Sequence, residues 1–461
     1  MSRERPREVP VARGDQVTVD VHGLGDGPDG LARIDDYVVF VPGVLPGERA
    51  IVDITSATRK FGRGELRRLE QASPDRVEAR CAHFLECGGC HRQHQHYAAQ
   101  LRSKQARIQK TVDFALGPDQ VTARETIAAA GPYGERHKVA VQLLTDPRGR
   151  LTAAFHRARS PDLVAIDDCP ASDPLAWDLV QTTIELLREL PHRAWDPWFA
   201  PKELLRSVLV RTTTTGDAHV VLVATVPQIA GLERIKDRLL AAGASSISIN
   251  HNDGDPARLL GPHSELVAGR PFVHEEIDGI NFRLSPSVFF QTSPRMAGQI
   301  VQHVLDWLRP GESDDVADLY CGVGLLTLPL ARRARSALGI ELHGTAVDDA
   351  RASALANGIG NVLFRCGQVD GWLRQLGTGG LPRPTLVALD PPRTGLTPDV
   401  IASLQRLQPR KLAYVSCEPL ALQRDLRDLL AAGFRTVSVT PFDMFPQTCH
   451  VESLACLELA R

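Results

Sequence analysis

The spacing of hydrophobic and polar positions changes character along the 461 residues. In the first seventy, DQVTVDVHGLG, YVVFVPGVLPGE and RAIVDITSA alternate with period two, are rich in β-branched residues and are separated by Gly, Pro and Asp turns. That pattern predicts a small β-barrel. QASPDR at 71–76 is a polar, proline-containing connection and a natural boundary. YAAQLRSKQARIQKTVDFAL then has helical periodicity. From about Tyr133 to Phe282, strand-like HKVAVQLLT, VLVRTTT, HVVLVATV and SSISIN alternate with helix-like LAWDLVQTTIELLREL and LERIKDRLLAAG, an α+β arrangement. From about Ser293 the rhythm becomes regular. DDVADLY, SALGIE, NVLFRCG, TLVALD and KLAYVSC read as strands with helical stretches between them. A doubly wound, mostly parallel sheet is the natural packing. The final stretch, FRTVSVTPFDMFPQTCHVESLACLELA, offers two more strands without a crossover helix, a closing antiparallel pair. The expected fold class is therefore α/β, with three domains at 1–72, 73–283 and 284–461.

Composition narrows the class. Hydrophobic content is 43% and charge 23%, ordinary for a globular chain, and no apolar run is long enough to span a membrane. The N-terminus, MSRERPREVPVARGD, has no apolar stretch of the secretory kind, so a cytoplasmic location is expected. The net charge of −2 excludes binding of nucleic acid by bulk charge, although Cys81–Pro170 holds 12 Lys/Arg against 9 Asp/Glu, plus six histidines. Nine cysteines in such a chain argue against structural disulfides. Six are scattered, but Cys81, Cys87 and Cys90 lie within ten residues in the spacing Cys-x5-Cys-x2-Cys, which points to a metal. Tetrahedral zinc, with His91, His94 or His96 completing the set, is one reading of that spacing.

The chemically suggestive residues of the last domain fall where predicted strands end, the side on which open α/β sheets bind ligands. The first strand runs into DLYCGVGLLTLPLA, where Gly322 and Gly324 permit a tight turn before a helix. Thr327 stands where a dinucleotide fingerprint wants its third glycine, which favours a ligand without a pyrophosphate. Glu341 ends the second strand and can accept from ribose hydroxyls, while Asp390 ends an otherwise apolar fourth strand before Pro391 and Pro392. This set fits S-adenosylmethionine better than NAD. Cys417 ends the fifth strand, at the same edge, and a thiolate there is a candidate nucleophile. His450 and Glu452 are both available as a base.

DLYCGVG, DPPRTG, YVSCEP and DMFPQTCHVE, in that order, with LSPSVFFQT upstream at 284–292, resemble the motifs of the RNA uracil-5-methyltransferases. The resemblance implies that Cys417 adds to carbon 6 of a uridine and that Glu452 removes the carbon 5 proton. It places Gln291, Tyr320, Glu341 and Asp390 around the cofactor and target base, in a Rossmann-like methyltransferase domain. GLARIDDYVVFVPGVLPGERAIVDI resembles a TRAM domain, an OB-type barrel used for RNA binding, and CAHFLECGGCHRQH resembles the family's iron–sulfur segment. On that resemblance Cys81, Cys87, Cys90 and the distant Cys169 would hold a [4Fe-4S] cluster rather than zinc. The implied partner is structured RNA, ribosomal favoured over transfer RNA, and no obligate protein partner is implied.

The chain departs from the family pattern at three places. Glu418 replaces the usual Asn after the nucleophile, and a carboxylate there raises the thiol pKa unless it points away. Gln368 stands for the Asp of a Gly-Asp pair, and FFQT replaces FFQ-x-N. Three other functions compete: cytosine-5 methylation, an RNA-binding iron–sulfur protein with a degenerate catalytic domain, and a redox sensor. Retention of both Cys417 and Glu452 argues against degeneracy.

Overall fold

The computed structural model describes residues 9–196, 204–253, 258–376 and 381–460. The first eight residues of the charged N-terminal segment thus lie outside the described residues. The chain divides into two compact units, Met1–Ser103 with His156–Val164 and Gln447–Cys449, and Lys104–Phe155 with Ala165–Pro446 and His450–Arg461.

The first unit holds a closed barrel of β1 (Gln16–Leu24), β2 (Asp29–Ile34), β3 (Tyr37–Pro42), β4 (Arg49–Ala57) and β5 (Phe61–Gln71), ordered β1-β2-β3-β5-β4. Alternate residues Val19, Val21, Val39, Val41, Val52 and Ile54 fill the interior, as period two requires. Strands β2 and β5 had no strong apolar signal. In β5, FGRGELRRLEQ, the residues are largely exposed and the strand is held by backbone ladders to β3 and β4. Gly64 in β5 is required by close approach, since a Cβ there would lie 2.2 Å from Val52 Cγ1. The expected boundary is tied to the barrel by Glu48. Its buried carboxylate accepts from the Leu45 and Ser73 N–H groups and from Arg76, whose Nη2 also donates to the Gly43 carbonyl at 2.6 Å. Those donors hold Glu48 below the usual carboxylate range against the opposing effect of burial.

Helix α1 (Tyr97–Leu116) occupies the stretch that periodicity marked as helical. A seven-stranded sheet has the order β12-β11-β10-β9-β6-β7-β8. Its strands are β6 (Lys138–Thr145), β7 (Leu151–His156), β8 (Leu163–Ala165), β9 (Leu205–Thr212), β10 (Ala218–Ala224), β11 (Ser246–His251) and β12 (His263–Gly269). Helix α2 (Pro174–Leu187) is capped by Asp173, with Pro174 at its first turn. The second helix expected here is shorter than its periodicity predicts: a 3-10 turn at Leu232–Arg234 precedes α3 (Lys236–Ala241). A two-stranded ribbon, β13 (Val273–Ile277) with β14 (Ile280–Leu284), follows.

The remaining chain forms the predicted doubly wound sheet. Helix α4 (Pro294–Leu308) is capped by Ser293 and buries Met296, Ile300, Val301, Val304 and Leu308 along one stripe. Then come β15 (Asp315–Leu319), α5 (Thr327–Ala331), β16 (Ser336–Glu341), α6 (Gly344–Ala356), β17 (Val362–Cys366), α7 (Val369–Leu373) and β18 (Leu386–Leu389). They are followed by α8 (Pro398–Leu407), β19 (Lys411–Ser416), α9 (Pro419–Ala431), β20 (Phe434–Phe442) and β21 (Glu452–Leu459). The order is β17-β16-β15-β18-β19-β21-β20, parallel through β19, with β21 inserted antiparallel between β19 and β20. No helix among the described residues is long and apolar enough to cross a membrane.

Gly64→Ala should destabilise the barrel by about 1–3 kcal/mol, because the interior has no room for the methyl group. Thermal denaturation checks this, and an unchanged midpoint would mean that Val52 moves aside freely.

Candidate active site

Strands β15, β16, β18 and β19 are mutually parallel, so their carboxyl ends open on one edge of the sheet. Beyond β15 the chain turns through Tyr320 at φ 68°, strained for a bulky side chain, and through Gly322 and Gly324 at φ 53° and 87°. A Cβ built on Gly322 meets nothing within 4 Å, so a ligand can approach the backbone there. Glu341 is locked onto this turn. Its Oε2 accepts from Gly322 N–H at 3.0 Å and its Oε1 from His343 N–H at 2.8 Å, leaving lone pairs for a ligand hydroxyl.

The motifs give Asp318 no role, although an acid set between Ala317 and Leu319 in a buried strand is itself a signal. It is buried, one oxygen accepts from Thr327 Oγ1 at 2.5 Å, and the other, Oδ1, has no hydrogen-bond partner among the described residues. Burial, reinforced by the charges of Asp390 and Glu341, pushes it up to about 7.

Asp390 follows β18, and Gln291 Nε2 donates to its Oδ2 at 3.3 Å. Burial raises Asp390 to about 7 despite that bond. Gln291 is steadied by its neighbours. The Thr292 carbonyl accepts from His137 N–H at 2.9 Å, and Ser293 Oγ donates to buried Glu135 at 2.8 Å. The sequence-selected Gln291 and Asp390 are therefore in direct contact.

Cys417 and Glu452 are brought together by register. β19 pairs with β21 up to Ser416 facing Ser453; Cys417 follows that last pair and Glu452 precedes it, so that the Glu452 charge acts on the thiol. Ser453 Oγ also donates to the Ser416 carbonyl at 3.1 Å. The Cys417 thiol is pushed up to about 11 by burial and by the charges of Glu452 and Asp390, with Arg393 acting in the opposite sense. Glu452 is buried, and its Oε1 has no hydrogen-bond partner among the described residues. Burial first, then the Asp390 charge, lifts its carboxyl well above the usual range. His450 is pushed down to about 4, chiefly by burial and then by Arg393 and other cations, so it is neutral at pH 7.

Two departures from the family pattern find places. Glu418 caps α9, accepting from Leu420 N–H at 3.5 Å. Gln368 sits exposed at the start of α7 without a side-chain capping bond. Arg393, in the loop after Asp390, is a second residue to which the motifs give no role, and its charge acts on Cys417, His450 and Glu452. Its relevance comes from the charges it faces, which lie far away in sequence.

The candidate metal ligands occupy less regular chain. Cys81, Cys87 and Cys90 lie on successive turns of the first unit and Cys169 on a loop of the second, each partly exposed. Gly89 N–H donates to Cys87 Sγ at 3.4 Å. His94 is buried and pushed down to about 3 by burial and by Arg76 and Arg92, and it packs on Phe84 at 5.1 Å. His96 is exposed, and His91 Nδ1 lies 3.3 Å from Cys449 Sγ.

Comparison with known proteins yields a consistent set. A TRAM-domain model matches residues 10–66, and a model described as tRNA (uracil-5-)-methyltransferase matches 265–367 and 384–460. An uncharacterized RNA methyltransferase of Halalkalibacterium halodurans is 33% identical over 456 residues, covering 98% of this chain and 99% of its own. One from Gloeobacter violaceus is 33% identical over 449 residues, 97% of each chain. Among solved structures, the tRNA (uracil-54, C5)-methyltransferase of Pyrococcus abyssi, crystallised with S-adenosyl-L-homocysteine, superposes with a TM-score of 0.76 at 24% identity. The superposition covers 96% of this chain and all of that one, and at this identity it speaks for the fold.

The raised thiol predicts that iodoacetamide labelling of Cys417, read by peptide mass spectrometry, accelerates about tenfold per pH unit below its midpoint. Glu452→Gln should move that midpoint down, because an opposing charge is gone. An unmoved midpoint would mean that the Glu452 carboxyl does not sit beside the thiol.

Proposed function

The chain belongs to the RNA (uracil-5-)-methyltransferase family, and from that premise we propose that it methylates carbon 5 of a uridine in structured RNA through a covalent adduct on Cys417. The observation that carries this reading is the ladder of β19 against β21, which ends beside Cys417 and Glu452, a thiol and a buried carboxyl with an unpartnered oxygen whose charge acts on that thiol. In this reading the Cys417 thiolate adds to carbon 6 of the base, and the electron pair moves to make carbon 5 nucleophilic. Once carbon 5 is methylated, Glu452, ionised, takes the carbon 5 proton, and the electrons of that C–H bond expel the thiolate. The raised carboxyl makes Glu452 a stronger base than an ordinary glutamate. Arg393 offsets the acids around the thiolate. His450, neutral at pH 7, is the weaker candidate for the base.

S-adenosylmethionine supplies the electrophilic methyl group. The residues present fit it: an open glycine crest at Gly322, Glu341 held for a ribose hydroxyl, and an orphaned buried oxygen on Asp318. Gly324, Tyr320, Gln368, Gln291 and Asp390 complete the assigned cofactor and base surroundings. We assign RNA binding to 1–72, the cluster-bearing domain to 73–283 and catalysis to 284–461, with action in the cytoplasm. Ribosomal RNA is the favoured substrate class on the TRAM-like barrel and cysteine segment. Transfer RNA is the second reading, favoured by the description of the matching family model.

For the cysteine segment the donor set fits an iron–sulfur cluster. Three thiols lie on one turn-rich stretch, and the Gly89 N–H to Cys87 Sγ bond is of the kind that steadies a thiolate ligand. Cys81, Cys87 and Cys90 would hold a [4Fe-4S] cluster, with Cys169 as fourth ligand on resemblance alone. The cluster would supply a covalent brace for a segment that has no strand or helix of its own.

Incubated with labelled cofactor and undermodified RNA, the protein should place label in 5-methyluridine, and separate ribosomal and transfer RNA arms identify the substrate. Cys417→Ala should abolish turnover and trapping on 5-fluorouridine RNA. Glu452→Gln should slow release about 10²–10⁴-fold, so that adduct accumulates. Label in 5-methylcytidine instead would reassign the base. Anaerobically purified protein should be brown and contain iron and sulfide, lost in Cys87→Ser but kept in Cys366→Ser. Colourless protein with stoichiometric zinc would reassign the metal.

A further inference from the structure

A buried acid outside the crevice links the catalytic strand to the loop that carries Asp390. Asp425, on α9, is fully buried, and its carboxylate is saturated by named donors. Oδ2 accepts from Tyr414 Oη at 2.6 Å and from Leu396 N–H at 2.8 Å. Oδ1 accepts from Arg424 Nε at 2.8 Å and Nη2 at 2.6 Å. The same Arg424 Nη2 donates to the Thr394 carbonyl at 2.8 Å and the Leu396 carbonyl at 3.2 Å. Tyr414 is itself fully buried in β19, three residues before Cys417. Thr394 and Leu396 end the loop that begins at Asp390 and includes Arg393. Gly395, at φ 74°, is the point of closest approach, since a Cβ there would lie 2.4 Å from Asp425 Oδ2 and 2.6 Å from Arg424 Nη2.

We propose that Asp425, with Arg424, is a positioning residue for methyl transfer: it ties strand β19 to the 390–396 loop and so holds Asp390 and Arg393 over Cys417. The assignment rests on the functional reading above. Helix α9 is the shared brace, because Cys417 leads directly into its first turn and Asp425 lies two turns further on. An ordinary structural acid would satisfy one element. This one joins the nucleophile's strand to the loop bearing the charges that act on the nucleophile.

Asp425→Asn keeps the shape but turns an amide N–H₂ toward donors, so the loop should shift while the helix stays. Formation of the adduct with 5-fluorouridine RNA should slow about 100-fold, as expected for a misplacement of the order of 1 Å. The loss should appear in kcat, with the KM for RNA unchanged. Tyr414→Phe, which removes only the strand-side bond, should lose less in the same step and covers the case in which Asp425→Asn does not fold. A lowered Tm with wild-type adduct rates in both folded variants would reduce Asp425 to a folding role and overturn the proposal. If wild-type protein forms no adduct at all, the functional reading fails, and alkylation of Cys417 still tests the brace. Loosening the loop relieves burial and the Asp390 charge, so the alkylation midpoint should fall in Asp425→Asn; an identical midpoint would overturn the positioning role.

Discussion

The pairing of β21 with β19 is the constraint on which the rest of the site depends. A parallel sheet ending at β19 would leave Cys417 on an edge strand, facing solvent on one side. Insertion of the last strand between β19 and β20 covers that edge, and its hydrogen-bonded ladder ends at Ser416 and Ser453, immediately beside Cys417 and Glu452. Because side chains alternate with period two, a slip of one residue would turn Glu452 to the other face of the sheet. Serine at both Ser416 and Ser453, with the Ser453 hydroxyl donating across the pair, fastens the register immediately beside the reacting groups.

What this pairing creates is a crowded set of buried acids. Asp318, Asp390 and Glu452 are all raised, first by burial, and Asp390 raises both of the others. The sign of the linkage follows. Each group binds its proton more tightly in the folded protein than in the unfolded chain, so its contribution favours folding at low pH and is lost as pH rises through the folded value, about 7 for Asp318 and Asp390. The site is thus least comfortable when ionised, the state in which the proposed mechanism uses Glu452. A ligand that satisfies the orphaned oxygens of Asp318 and Glu452 would relieve part of that cost, which is a physical reason for the site to be polar and incompletely paired. Arg393, Gln291 and Thr327 act in the other direction.

The barrel obeys a different logic. Its interior is filled by alternate valines, and the Glu48–Arg76 pair anchors it. Full-length identity of about one third to RNA methyltransferases, together with the separate TRAM match, means that barrel and catalytic sheet occur as one chain in the relatives as well.

The amino-acid sequence by itself determined the strand and helix succession of the catalytic half, because strand ends there coincide with glycine, proline and acid breaks. SALGIE is β16 residue for residue, and the glycine turn, Glu341, Asp390 and Cys417 all emerge at strand ends as their period implies. It also contained the motifs that placed Glu452 and Gln291 in the site. It did not show β5, whose side chains are mostly exposed and whose pairing lies in the backbone. It did not show Asp318 as a buried acid, nor Asp425, which in sequence is one charged residue in an amphipathic helix. Only the tertiary structure decided that Glu418 turns to its own helix, and that Arg393 and Glu452 act on the thiol. Local pattern specifies where a strand runs and ends. Which strand lies beside it, and which charge meets which, follows from long-range pairing and burial, and these belong to the folded chain as a whole.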